Sequence, residues 1–82
     1  MIKEGEMSVK AYVLATVEAG VGVDVVKTLS AIEGVESAHN VTGPYDVIAF
    51  VEVADAEALG ELVITRIQTV EGIVETLTCV VI

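Results

Sequence analysis

Two stretches of this chain alternate with a period of two, and in both of them the two alternating sets are each apolar. In VKAYVLATV, residues 9–17, one set is Val9, Ala11, Val13, Ala15 and Val17 and the other is Lys10, Tyr12, Leu14 and Thr16. In YDVIAFVEV, residues 45–53, Val47, Ala49, Val51 and Val53 alternate with Ile48 and Phe50, which Asp46 and Glu52 flank. Successive side chains of a β-strand point to opposite faces of its sheet, so this period predicts two strands that have apolar surface to cover on both sides.

The segments between them read as helices and turns. Gly20 and Gly22 break the first strand, and Val25, Val26, Leu29 and Ile32 then recur at helical spacing. With Asp24 placed to favour the positive N-terminal end, residues 22–33 are expected to form an amphipathic helix, stopped by Gly34. VESAHNVT, residues 35–42, is a weaker strand. Asp55 is a suitable N-cap for a second helix whose apolar stripe is Leu59, Leu62, Val63 and Ile67. Gly72 closes the following loop, and IVETLTCVVI, residues 73–82, is a final strand with apolar residues in both alternating sets.

The order is β-α-β-β-α-β, and IEGVES from Ile32 is echoed by VEGIVET from Val70, each joining a helix to a strand. Two βαβ halves of this kind build a ferredoxin-like α+β fold, a four-stranded antiparallel sheet with both helices on one face. The other face of such a sheet is polar in a monomer. Here it would carry Tyr12, Leu14, Ile48 and Phe50, so the chain is expected to dimerise through its sheets, with these four residues in the interface.

Length and charge narrow the classes of function. At 82 residues the chain holds one domain, assigned to residues 8–82, with residues 1–7 as an N-terminal extension. Thirteen acidic against four basic residues give a net charge of −9, a sign that repels phosphate backbones and argues against direct nucleic-acid binding. No apolar run reaches the length of a membrane span and residues 1–6 lack a signal-peptide core, so a cytoplasmic protein without membrane contact is expected. Cys79, the single cysteine, lies in an apolar run and is expected to be buried.

No recognisable active site assembles. His39 is the one histidine and has no oriented partner at a metal-like or catalytic spacing. Ser30 and Ser37 lie outside any nucleophile-elbow pattern, and GVGVD, residues 20–24, lacks the lysine of a P-loop and the length of a dinucleotide fingerprint. Asp55, Glu57 and Glu61 read as a solvated helix face. The chain is therefore expected to be no enzyme and to need no cofactor or metal.

TGPYD, residues 42–46, admits two readings. As a turn, Pro44 presets a backbone angle while Thr42 and Asp46 bond nearby backbone. As a site, Tyr45 offers a ring with a polar tip, and Asp46 beside free amides offers both signs of charge that a zwitterionic amino acid requires.

The order of elements, GVESAHNVTGPYDVIAFVEV and IQTVEGIVETLTCVVI together resemble the amino-acid-sensing effector (RAM) domain of the Lrp/AsnC transcription regulators, from about Ser8 to Ile82. The most specific element is Gly-x-Tyr-Asp after the second strand, here Gly43, Tyr45 and Asp46, supported by Gly34-Val35 and by Thr76 and Thr78 in the final strand. The resemblance implies sheet-mediated dimers that assemble into octamers or decamers and bind amino acids or similar small metabolites between dimers. It places Thr42, Gly43, Pro44, Tyr45 and Asp46 at the effector site, with Thr76 and Thr78 as further contributors. Full-length members carry an N-terminal helix-turn-helix domain for which this chain has no room, so a stand-alone domain is expected, with a full-length regulator as a further partner. Two alternatives stay open: an ACT-like amino-acid-binding domain, whose ligand loop would be at Gly20 and Gly22, and a small dimeric α+β-barrel enzyme built around His39. A purely structural oligomerisation module is a third.

Overall fold

The computed structural model describes residues 8–82, so the expected extension at residues 1–7 lies outside the described residues. Strands β1 (Val9–Val17), β2 (Val35–Asn40), β3 (Val47–Val53) and β4 (Ile73–Val80) form one sheet in the order β2-β3-β1-β4. Every neighbouring pair is antiparallel. Helix α1 (Gly22–Ser30) joins β1 to β2, and α2 (Ala56–Glu61) continues into a π-helical segment, Leu62–Ile67, before β4. This is the expected ferredoxin-like arrangement.

The set Ala11, Val13, Ala15 of β1 and the set Val47, Ala49, Val51 of β3 are buried beneath Val25 and Leu29 of α1 and Leu59, Leu62, Val63 and Ile67 of the second helical stretch. Alanines and valines alternate on this floor, and their small size lets the larger helix residues seat closely. Leu29 and Ile67 are among the largest fully buried side chains, each contributing on the order of 2–3 kcal/mol of apolar burial. Asp55 caps α2 as expected, its Oδ1 accepting the Ala58 N–H at 2.7 Å. No helix among the described residues is long and apolar enough to cross a membrane.

The two echoed segments are one structural device used twice. In Ile32–Val35 the Val35 N–H donates to the Ile32 carbonyl at 3.1 Å, and in Val70–Ile73 the Ile73 N–H donates to Val70 at 3.2 Å. The third residue of each is a glycine of nearly equal φ, +98° at Gly34 and +99° at Gly72, a conformation that L side chains resist. At Gly72 a Cβ would also fall 2.8 Å from Cγ2 of Val21.

Three details depart from the sequence reading. α1 ends at Ser30 rather than at residue 33. The second helical stretch does not stay α-helical: the Gln68 N–H reaches back five residues to Val63. The Thr65 hydroxyl bonds the Glu61 carbonyl and the Thr69 hydroxyl the Thr65 carbonyl, and such back-bonding competes with the α-helical ladder in a segment already rich in β-branched residues. Cys79, expected to be buried, is exposed, because the register sets it opposite Tyr12 on the face away from the helices.

That open face is ordered in rows across the four strands. His39, Ile48, Leu14 and Leu77 share one row, and Ser37, Phe50, Tyr12 and Cys79 the next. Tyr12 and Phe50 stack obliquely with centroids 5.0 Å apart and an interplanar angle of 47°. Tyr12 is 44% exposed and Leu77 46%, so this apolar surface is uncovered in the single chain.

Candidate functional site

One end of the sheet gathers three loops: Glu18–Val21 after β1, Val41–Asp46 after β2, and Gln68–Gly72 before β4. They are tied together. The Glu18 N–H donates to the Gly72 carbonyl at 2.8 Å, which links the first loop to the third. The second is closed on itself by Val41 N–H to the Asp46 carbonyl at 2.9 Å. It is joined to β1 twice, by Asp46 N–H to the Ala15 carbonyl and by Val17 N–H to Asp46 Oδ2, both at 2.9 Å.

Asp46 therefore bonds backbone, as the turn reading expects, but that backbone lies 29 residues away at the end of β1. One carboxylate oxygen holds the strand end, and the carboxylate is exposed. Gly43, at φ +130° with open space around it, sits beside exposed Thr42 and Pro44, while Tyr45 is half-buried.

Between the first two loops lies a cleft of about 280 Å³, lined by Val17, Glu18, Ala19, Gly20, Gly22, Asn40, Val41 and Asp46. Asp46 is the member of the expected effector loop that lines it. Thr42, Gly43, Pro44 and Tyr45 lie outside that lining, and so do Thr76 and Thr78. Those threonines are half-buried on the helix side of β4, in register with Ala15 and Val13, and Thr76 Oγ1 accepts from Gln68 Nε2 at 3.0 Å. Within one chain, then, the expected effector residues do not close around a common pocket.

The loop that the ACT-like alternative would use, Gly20–Gly22, borders the same cleft. Two rival loops thus meet at one place. α1 starts there with no side-chain cap, since Val21 occupies the N-cap position, which leaves the first-turn N–H groups without a side-chain acceptor. Asn40 packs against this start so closely that a Cβ on Gly22 would fall 2.9 Å from Asn40 Nδ2. The cleft lining thus holds Gly22 at the start of α1 and Asn40 together with the acidic residues Glu18 and Asp46. Glu18 and Asn40 were not singled out from the sequence. The one local sign for Glu18 is a charge where the alternation of β1 stops, and nothing local marks Asn40.

A larger recess, about 710 Å³, lies at the opposite end of the sheet, where Glu33, Glu36, Glu52 and Glu61 surround Leu62 and Arg66. Gly34 of the Gly34-Val35 pair also lines it, but no residue of the Gly-x-Tyr-Asp loop does. His39 lines neither recess. Among the described residues, no three His, Cys, Asp or Glu side chains group as metal ligands.

The family model for the Lrp/AsnC ligand binding domain matches residues 10–82. An uncharacterised HTH-type transcriptional regulator of Pyrococcus furiosus is 30% identical over 95% of this chain and 54% of its own length. The chain thus spans about half the length of that curated relative. A hypothetical protein of Pyrococcus horikoshii superposes with a TM-score of 0.85 at 31% identity, over 90% of this chain and 89% of its own. Escherichia coli AsnC superposes with a TM-score of 0.85 at 25% identity, over 90% of this chain and 50% of its own.

Proposed function

The chain belongs to the Lrp/AsnC ligand-binding domain family, and from that premise we propose that it is a non-enzymatic, oligomeric sensor of an amino acid or a similar small zwitterion. The observation that carries this reading is the cleft beside Gly43-Pro44-Tyr45-Asp46, whose lining brings Gly22 at the uncapped start of α1 and Asn40 together with Glu18 and Asp46. A free amino acid presents an ammonium and a carboxylate on the same carbon, and a site built from both signs of partner recognises that pair without requiring a reactive group. Asp46 and Glu18 receive the ammonium, and the first turn of α1 with Asn40 receives the carboxylate.

The cleft is open on the single chain, and Thr42, Pro44 and Tyr45 point to a second wall supplied by a neighbouring subunit. Dimerisation through Tyr12, Leu14, Ile48 and Phe50 provides the first step of such an assembly, since it covers the two apolar rows of the open face. Further association into octamers or decamers encloses the effector loop. With a net charge of −9 the domain itself is a poor ligand for DNA, so an influence on transcription passes through a DNA-binding domain associated with it.

Thermal-shift screening of the twenty amino acids, followed by mass measurement with and without each hit, tests the proposal. A bound effector stabilises the native state by RT ln(1 + [L]/Kd), so about 2.7 kcal/mol of stabilisation is expected at 100-fold saturation. No hit at millimolar concentration supports the purely structural oligomerisation module instead.

A further inference from the structure

The cleft at the loop end of the sheet is unbalanced in charge. Glu18 and Asp46 give its lining two carboxylates and Asn40 one neutral amide, and no Lys, Arg or His is among the lining residues. The two acids differ in what already holds them. Asp46 Oδ2 accepts the Val17 N–H at 2.9 Å, so backbone answers part of its charge. Glu18 is fixed by its main chain, which donates to the Gly72 carbonyl at 2.8 Å and accepts the Val21 N–H at 3.3 Å. Among the described residues no hydrogen bond reaches its side chain.

The chain is a poor source of a counter-charge for that side chain. Four basic residues stand against thirteen acidic ones. Lys3 lies outside the described residues, and the others are placed away from the cleft. Lys10 is near the start of β1, whose last residue lines the cleft, and Lys27 is in the last turn of α1, whose first residue lines it. Arg66 lines the recess at the opposite end of the sheet. A second copy brings the same few cations with a further net charge of −9, so association alone does not neutralise the cleft. Enclosing a carboxylate without a partner is costly, and a neutral amino acid carries one ammonium for two carboxylates. A ligand with a second cation removes that deficit. The rest of the lining suits the stem of such a ligand: Val17, Ala19 and Val41 are apolar, and cationic side chains lay their methylenes on apolar surface while the charged head keeps polar partners.

We propose that the effector of this cleft, on the reading of it as the amino-acid site, is an amino acid with a cationic side chain on an alkyl stem, the class of lysine, ornithine and arginine. Asp46 takes the α-ammonium and Glu18 the side-chain cation, while Asn40 and the start of α1 take the α-carboxylate. The field of a domain with a net charge of −9 also draws in cations and opposes glutamate and aspartate.

Titration calorimetry of the unmodified oligomer with lysine, ornithine, arginine, norleucine, glutamate and cadaverine tests this. Norleucine is lysine without its side-chain ammonium, and cadaverine is lysine without its carboxylate. The best of the three cationic amino acids is expected to bind about tenfold or more tightly than norleucine or cadaverine, with glutamate the weakest. Glu18→Gln keeps the size of the side chain and removes its charge, and is expected to bring the ratio of cationic amino acid to norleucine affinity down toward one at an unchanged oligomeric mass. Norleucine binding as tightly as the cationic amino acids, or a ratio that Glu18→Gln leaves unchanged, overturns the ligand class while leaving the cleft an amino-acid site. Cadaverine binding as tightly as lysine shows unselective attraction of cations and overturns it as well. Failure of every amino acid to bind contradicts the sensor reading itself, and the ligand class falls with it.

Discussion

Asp46 serves two ends with one side chain. Its Oδ2 accepts the Val17 N–H and so fixes the end of β1, while its charge faces the cleft. Asparagine keeps an acceptor oxygen at that place and alanine does not. Asp46→Asn is therefore expected to melt within a few degrees of the unmodified protein. Asp46→Ala loses about 1 kcal/mol and, in a domain of this size, roughly 4–8 °C in Tm. Scanning calorimetry of the two variants separates the roles. A second contrast concerns the glycines. Gly20 and Gly72 both have positive φ, but a Cβ at Gly20 meets nothing within 4 Å whereas at Gly72 it meets Val21. Gly20→Ala is expected to cost about 1 kcal/mol and Gly72→Ala about 2–3 kcal/mol, measured by urea denaturation. That Gly72 ends a helix-to-strand turn was legible in the chain, because the four residues repeat those at Ile32–Val35. That it packs against Val21 was not, because the contact joins residues some fifty positions apart.

Elements whose cause is local read correctly. The strands at Val9–Val17 and Val47–Val53 follow from period-two alternation, and α2 begins where Asp55 caps it. Asp55→Ala is expected to lower stability by about 1 kcal/mol in the same denaturation experiment. Elements fixed by competition between hydrogen bonds were not legible. The apolar stripe Leu59, Leu62, Val63 and Ile67 fits an α-helix as well as a widened one, and the π-helical Leu62–Ile67 emerges where the Thr65 hydroxyl takes the Glu61 carbonyl. The same limit applies to Cys79. An apolar run shows that β4 is a strand, but only its position at the sheet edge, paired with Tyr12, determines that the cysteine faces outward. Of the residues that line the cleft, Asp46 was named from the sequence, as were Gly20 and Gly22 for the ACT-like alternative, and Glu18 and Asn40 were not. Asn40 reaches Gly22, and Asp46 reaches Val17, through the fold rather than along the chain.

For the whole molecule, one sheet face is sealed by two helical stretches and the other bears the rows through Leu14–Ile48 and Tyr12–Phe50. Ile48→Asp places a carboxylate in the middle of that surface. It is expected to reduce the molar mass in light scattering by at least one association step while leaving the far-ultraviolet circular dichroism unchanged, because Ile48 takes no part in the helix-side core. An unchanged mass would show that the open face is not an interface. The central claim, that the cleft beside Asp46 binds a zwitterionic effector, is tested most directly by titration calorimetry of the best amino-acid hit against the unmodified protein and Asp46→Asn. Loss of the charge-assisted contact is expected to weaken binding by roughly tenfold or more at an unchanged oligomeric mass. Equal affinity for the two proteins, or no amino acid that binds the unmodified one, would contradict it.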